Sequence, residues 1–145
     1  MIVVDTNIVV YALTEGPQTP LARKVRRLDP QWRLPDLWQH ECLNFLATYV
    51  RQGGISLGIA RRLWLEATQL LAGCVHPVDM LLALQLAVEH DISAYDAQFI
   101  AVAQQLGVLC ITEDRRLRLA FPDRTRSMQE FCATQPRRPR LRQTR

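Results

Sequence analysis

Apolar positions fall into short unbroken runs and into longer helical stripes, and the two patterns interleave along the chain. Ile2-Val3-Val4 is a β-branched run that ends at Asp5-Thr6-Asn7. It predicts a buried strand feeding a helix over 8–13, closed by Gly16-Pro17. Thr19 is placed to cap a second helix with Pro20 in its first position. Leu21, Val25 and Leu28 face inward there, Arg23, Lys24, Arg26 and Arg27 face outward, and Asp29-Pro30 stops it. Trp32-Arg33-Leu34 reads as a short strand. A helical pattern follows over 36–52, with Trp38, Cys42, Phe45, Leu46 and Tyr49 on its apolar stripe and Gly53-Gly54 at its end.

Ser56 opens another helix, with Leu57, Ala60, Leu63, Trp64, Ala67 and Leu71 on one face. A short extended piece surrounds Val75. Asp79 caps a helix over 80–90, and Ser93 caps the next, with Phe99, Ile100, Ala103 and Leu106 inward and Gly107 as its stop. Residues 108–112 form a second clear buried strand. A short helix starts at Asp114, a turn surrounds Pro122-Asp123, and Ser127 with Glu130 three residues on caps a last short helix. Few short strands among many helices, with no internal repeat, predict an α/β domain: a small parallel sheet sandwiched by helices in three layers.

The length of 145 residues fits one such domain, and 48% apolar residues are enough for an ordinary core. No apolar run approaches the length of about 18 residues that a membrane helix needs. Asp5 interrupts the first apolar run and no basic stretch precedes it, which argues against a secretory signal. Cys42, Cys74, Cys110 and Cys132 lie far apart, without a CxxC pair or a histidine at zinc spacing. Cys42, Cys110 and Cys132 have apolar neighbours, so reduced thiols and a cytoplasmic location are expected.

The net charge of +4 is misleading as a whole-chain figure. Residues 136–145 hold Arg137, Arg138, Arg140, Arg142 and Arg145 and no acid, which leaves −1 for residues 1–135. A single folded domain over 1–135 and a disordered Arg-rich tail over 136–145 are expected. The tail reads equally as an electrostatic arm for nucleic acid and as an idle terminus.

Four acids stand out against this pattern. Asp5 and Asp114 each follow a buried strand, and parallel strands bring both to one sheet edge. Taken alone, each reads first as a helix cap. Glu41 lies on the apolar stripe with Trp38 and Phe45, where an unpartnered carboxylate costs several kcal/mol; Asn44 at i+3 could donate to it. Asp96 follows Ser93 by three, as in a capping box, at the head of the most apolar helix. Four separated acids at one edge repel unless a divalent cation holds them, and oxygen ligands select Mg²⁺ or Mn²⁺. Such a cluster suits phosphodiester hydrolysis. The sequence contains no GxSxG, no HExxH and no Gly-rich phosphate loop to suggest other chemistry.

These segments match a known pattern. Ile2-Val3-Val4-Asp5-Thr6-Asn7 resembles the opening of PIN-domain proteins. Pro35 to Leu46 with Glu41, Ser93-Ala94-Tyr95-Asp96-Ala97, and Thr112-Glu113-Asp114-Arg115-Arg116-Leu117 resemble the family's next three acidic motifs, in order. Size and spacing are most similar to the VapC-type ribonuclease toxins of toxin–antitoxin pairs. The resemblance implies a PIN fold and an Mg²⁺- or Mn²⁺-dependent endoribonuclease. It further implies a homodimer held inactive by a small antitoxin whose C-terminal segment lies in a groove near the site.

It implies that Asp5, Glu41, Asp96 and Asp114 form the metal-binding catalytic set, with Thr6, Asn7 and Thr112 in support. Glu113 is ambiguous beside Asp114. The outward face of Arg23, Lys24, Arg26 and Arg27 reads mainly as a solvated helix face and secondly as an RNA contact. The alternatives to a toxin are a non-catalytic PIN-like module that binds RNA or protein, and a PIN nuclease of RNA maturation.

Overall fold

A computed structural model describes residues 1–134. The predicted Arg-rich tail over 136–145 and the boundary before it lie outside the described residues. The elements in order are β1 (Ile2–Val4), α1 (Thr6–Leu13), α2 (Thr19–Leu28), β2 (Trp32–Arg33), α3 (Trp38–Arg51) and α4 (Leu57–Leu70). They continue with α5 (Met80–His90), α6 (Ala94–Leu106), β3 (Cys110–Ile111), α7 (Arg115–Ala120), β4 (Thr125–Arg126) and α8 (Met128–Thr134). The strands form one parallel sheet in the order β2-β1-β3-β4. Leu34 adds a single parallel bridge to Val75, where the sequence predicts its short extended piece.

The central strands are buried on both faces, which is why β1 and β3 read as unbroken apolar runs rather than alternating ones. Helix α6 lies on β1 and β3, and α5 packs along α6. Helix α1 packs against α2, α3 and α4, while α2 meets α8. Residues Ala97 and Phe99 to Ala103 of α6 are all buried, so this helix runs through the middle of the protein. Because the strands are parallel, the loops after β1 and β3 leave from the same sheet edge. Binding sites of such sheets form there.

Several helices begin where the sequence places them. Ser56, Asp79, Ser93 and Asp114 each accept a backbone N–H from the first turn of the helix they precede. Ser127 and Glu130 form a reciprocal capping box on α8, with Ser127 N–H donating to Glu130 at 2.7 Å and Glu130 N–H to Ser127 at 3.1 Å. Gly107 ends α6 with φ of 66°, a left-handed conformation that glycine adopts without strain.

Other expectations change. Thr19 does not cap α2; its hydroxyl reaches back to the Thr14 carbonyl at 2.6 Å, and Gln18 occupies the cap without a side-chain bond. Helix α3 starts at Trp38, because Asp36 and Leu37 form a turn that precedes it. Leu57 is 56% exposed and Trp64 half-buried, so the inner face of α4 is narrower than its stripe. Cys74 is buried while Cys132 is only half-buried, the reverse of what their neighbours suggest, and all four cysteines are free. The chain also has a strand that the sequence does not announce: β4, an edge strand two residues long. Among the described residues, no helix is long and apolar enough to cross a membrane.

Candidate active site

The site is built at the carboxyl ends of β1 and β3. The backbone N–H of Asp5 donates to the Ile111 carbonyl at 3.0 Å, extending the β1–β3 ladder by one bond and locking Asp5 beside Thr112. The hydroxyl of Thr112 donates to Asp5 Oδ2 at 2.9 Å and accepts from the Asp114 N–H at 3.0 Å. One buried threonine thus ties together the two acids that follow the two central strands. Asp5 Oδ1 takes the Asn7 N–H at 3.4 Å as the cap of α1, and Asp114 Oδ1 takes the Leu117 N–H at 3.0 Å as the cap of α7. The capping role expected of both acids is therefore real, and it leaves further oxygen lone pairs for a ligand.

Glu41 arrives from α3. Its expected partner, Asn44, is exposed. The hydroxyl of Thr6, a buried residue of the first turn of α1, donates to Glu41 Oε2 instead. Asp96 comes from the head of α6. Its N–H donates to Ser93 at 3.0 Å, which is half of a capping box; the carboxylate does not return the bond to the Ser93 N–H. Asn7 contributes its backbone N–H only, and its side chain is exposed.

The charges feel one another. Burial pushes the Asp5 carboxyl above its ordinary range, the negative charges of Asp96 and Asp114 push the same way, and the bonds from Thr112 and Asn7 oppose them. Burial likewise raises Glu41, with Asp5 and Asp96 adding to it and Thr6 resisting. Asp5 is thus the hub of the four acids. Among the described residues, no group of three or more acids, histidines or cysteines stands close enough together to hold a metal ion with the side chains as they lie.

The donor set is oxygen throughout. Cys110 is fully buried within reach of the Asp5 charge, and burial together with that charge holds it firmly as the neutral thiol. Cys42, on the buried side of α3 next to Glu41, is pushed up to about 11 by burial. Neither thiol offers a thiolate at neutral pH. Carboxylates without thiolate or imidazole fit a hard divalent cation such as Mg²⁺ or Mn²⁺, and the mutual repulsion at Asp5 is what such a cation relieves.

Glu113 does something else. Its Oε1 accepts the Met128 N–H at 2.7 Å, holding the first turn of α8 to the end of β3. Replacing Glu113 by Ala is expected to cost about 0.5–2 kcal/mol of stability, the usual value of a lost helix-cap acceptor. Activity at the acid cluster should stay within about twofold, since a stability loss of that size leaves a domain of this kind almost wholly folded. Urea unfolding and activity measured on one preparation check both. Thr112→Val is the opposite case. It strips Asp5 of its hydroxyl donor and Asp114 of its acceptor. A loss of about 1.5–3 kcal/mol is expected at neutral pH, smaller at acidic pH once Asp5 is protonated; urea unfolding at the two pH values reads it.

The basic face of α2 lies elsewhere. Asp29, which ends α2, pairs with the Met1 ammonium at 2.6 Å, so that end of the helix sits where β1 begins. The acids sit where β1 ends. Arg23 is held by the Ala12 carbonyl and by Glu15 at 2.8 Å. Arg26 is half-buried, not outward: it donates to the Pro30 carbonyl at 2.6 Å and lies 5.0 Å over the Trp32 ring. The arginines nearest the acids in sequence are those of α7, and the sequence reading passes over them. Arg115, Arg116 and Arg118 directly after Asp114 were the signal that could have found them.

Comparison with known proteins identifies the family. A family model described as PIN domain matches residues 2–121. Ribonuclease VapC3 of Pyrobaculum aerophilum is 26% identical over 124 residues, which is 83% of this chain and 95% of that protein. The crystal structure of PAE2754 from Pyrobaculum aerophilum superposes with a TM-score of 0.73 at 20% identity, covering 91% of this chain and 93% of the other. The match spans β1 through α7 and contains all four acids at the sheet edge, and the chain belongs to the PIN domain family.

Proposed function

We propose that the chain is a divalent-metal-dependent endoribonuclease, the toxin of a toxin–antitoxin pair. The observation that carries the reading is the gathering of four acids at one sheet edge, where Asp5 feels the charges of Asp96 and Asp114, and Glu41 those of Asp5 and Asp96. The likeness to a protein named as a VapC ribonuclease supports RNA as substrate.

Asp5, Asp96 and Asp114, with Glu41, would hold Mg²⁺ or Mn²⁺. The bound cation would supply charge neutralisation at the scissile phosphate and a more acidic water. Thr112 fixes Asp5 and Asp114 relative to each other, so the two acids cannot drift apart as charge develops. Thr6 orients Glu41 and opposes, in part, the rise that burial causes in its carboxyl. The cap bonds to α1 and α7 hold the remaining oxygens in place. Asn7 adds only its N–H. The chain's own contribution is thus a rigid, preorganised set of anionic oxygens.

Two apolar surfaces support the partner reading. The groove between α3 and α4, of about 580 Å³ and lined by Leu43, Leu46, Val50, Leu57, Trp64 and Leu65, is suited to an antitoxin segment and starts two residues beyond Glu41. Helix α5 exposes Met80, Leu81, Leu84 and Val88, a face suited to a second copy of the chain.

Incubating the purified chain with RNA in Mg²⁺ or Mn²⁺ and in EDTA tests the activity. Cleavage in the metal ions alone is expected. Equal cleavage in EDTA would overturn the metal role, and RNA binding without cleavage in either would favour the binding-module reading. Growth arrest on expression, relieved by co-expressing a short neighbouring gene, tests the toxin role.

A further inference from the structure

We propose that a basic pocket beside the acid cluster, walled by Arg115, Arg118 and Arg126, binds a backbone phosphate of the RNA strand next to the scissile one. The inference rests on the ribonuclease reading of the acids. The pocket measures about 600 Å³ and lies between α7, β4 and α8, with Leu119, Thr125 and Glu130 also in its wall.

Its position follows from the sheet. Strand β4 is the immediate neighbour of β3, one strand spacing of roughly 5 Å away. The Arg126 carbonyl accepts the Thr112 N–H at 3.0 Å. Thr112 is the residue that holds Asp5, so the pocket and the acid cluster share a hydrogen-bonded wall. Arg115 directly follows Asp114. A strand whose phosphate sits on the acids would pass the pocket when it runs toward the β4 edge.

Its charge is not cancelled. Residues three apart share a helix face, so Arg115 and Arg118 turn together into the pocket. Arg116 turns the other way and pairs with Asp91 at 3.2 Å. Arg115 is exposed and has no hydrogen bond or ion pair among the described residues. Arg118 reaches Glu130 only at 4.0 Å, and its Nε is buried without a partner among the described residues. Glu130 is already committed to the Ser127 N–H. Arg126 directs Nη1 to the Pro122 and Thr125 carbonyls at 2.7 and 2.6 Å, which fixes its guanidinium while leaving its other nitrogens free. Three guanidinium groups against one occupied carboxylate make an anion site, and the planar fork of arginine fits a phosphate in two-point contact.

The test is binding of a labelled single-stranded RNA to the full chain in EDTA at several salt concentrations, for wild type, Arg115→Gln, and Arg115→Gln with Arg118→Gln. Arg62→Gln, on the exposed face of α4, is the control. We expect the double variant to bind about 10-fold more weakly, and its plot of log affinity against log salt to flatten by about 0.7 for each phosphate that the variant no longer neutralises. The control should match wild type. Arg115 is exposed, so its single variant reads the pocket even where replacement of the half-buried Arg118 unfolds the chain. Unchanged affinity and slope in a folded variant, or no RNA binding by wild type, overturns the proposal. So does loss of binding to a polyglutamate peptide with RNA binding intact, which would assign the pocket to an acidic protein. Cleavage in Mn²⁺ is scored separately. A wild type that binds RNA through these arginines and does not cut it would sink the ribonuclease reading and leave the pocket standing. A wild type that cuts with unchanged KM in the double variant would do the reverse.

Discussion

Asp5→Asn is expected to lower RNA cleavage by at least about 100-fold, the upper end of what disturbing the support of a metal ligand costs, and to make the metal-free protein more stable. The two effects have one cause. Burial and the charges of Asp96 and Asp114 disfavour ionised Asp5, so its carboxyl is raised above the ordinary 3.8. The folded chain then holds this proton more tightly than the unfolded chain. Stability from this group is present at acidic pH and falls as pH climbs from about 3.8 through the raised folded value. Asparagine carries no charge, keeps an oxygen for the Thr112 hydroxyl, and removes that slope. Thermal unfolding in EDTA across pH 4–7 should show wild type losing stability with rising pH more steeply than the variant. An active variant, or parallel curves, would detach Asp5 from the chemistry assigned to it.

Phe99→Ala is expected to cost about 3–5 kcal/mol, out of a total of about 5–15 kcal/mol for a domain of this kind. Phe99 is 2% exposed in a helix whose neighbouring residues Ile100, Ala101, Val102 and Ala103 are wholly buried. Helix α6 packs on the sheet and along α5, and elements packed in this way relax only partly into a vacated space. The functional consequence is indirect. Helix α6 presents Asp96 at its first turn, so loosening it moves one of the four acids. Denaturant unfolding followed by circular dichroism reads the loss as a lower midpoint at unchanged slope. A shift under about 1 kcal/mol would mean that α6 is not the packed centre described above.

The parts of this fold that depend on near neighbours are legible in the sequence. A β-branched run of three residues marks β1, and Ser56, Asp79, Ser93, Asp114 and Ser127 mark helix starts because a cap acts within three residues of itself. Asp5 and Asp114 could be placed at one edge because both end parallel strands. What was hidden depends on contacts between distant residues. The Thr6–Glu41 bond joins positions 35 apart, and the local alternative, Asn44, was the only partner the sequence offered. Strand β4 is two residues long and exists because β3 templates it. Glu113 and Asp114 are adjacent and chemically alike, and only the arrival of α8 at the Glu113 carboxylate separates their roles. The outward arginines of α2 looked like a nucleic-acid surface because a helical wheel shows a face and not where it lies; Arg26 folds onto Trp32 instead.

On the proposed reading the four acids, gathered around Asp5, form one divalent-cation site. Titrating Mn²⁺ into metal-free wild type, Asp5→Asn and Glu113→Gln by calorimetry at neutral pH tests it most directly. Wild type and Glu113→Gln should bind with the same affinity, because Glu113 serves α8, and Asp5→Asn should bind at least about 10-fold more weakly. Equal affinity for Mn²⁺ in wild type and Asp5→Asn would contradict the claim.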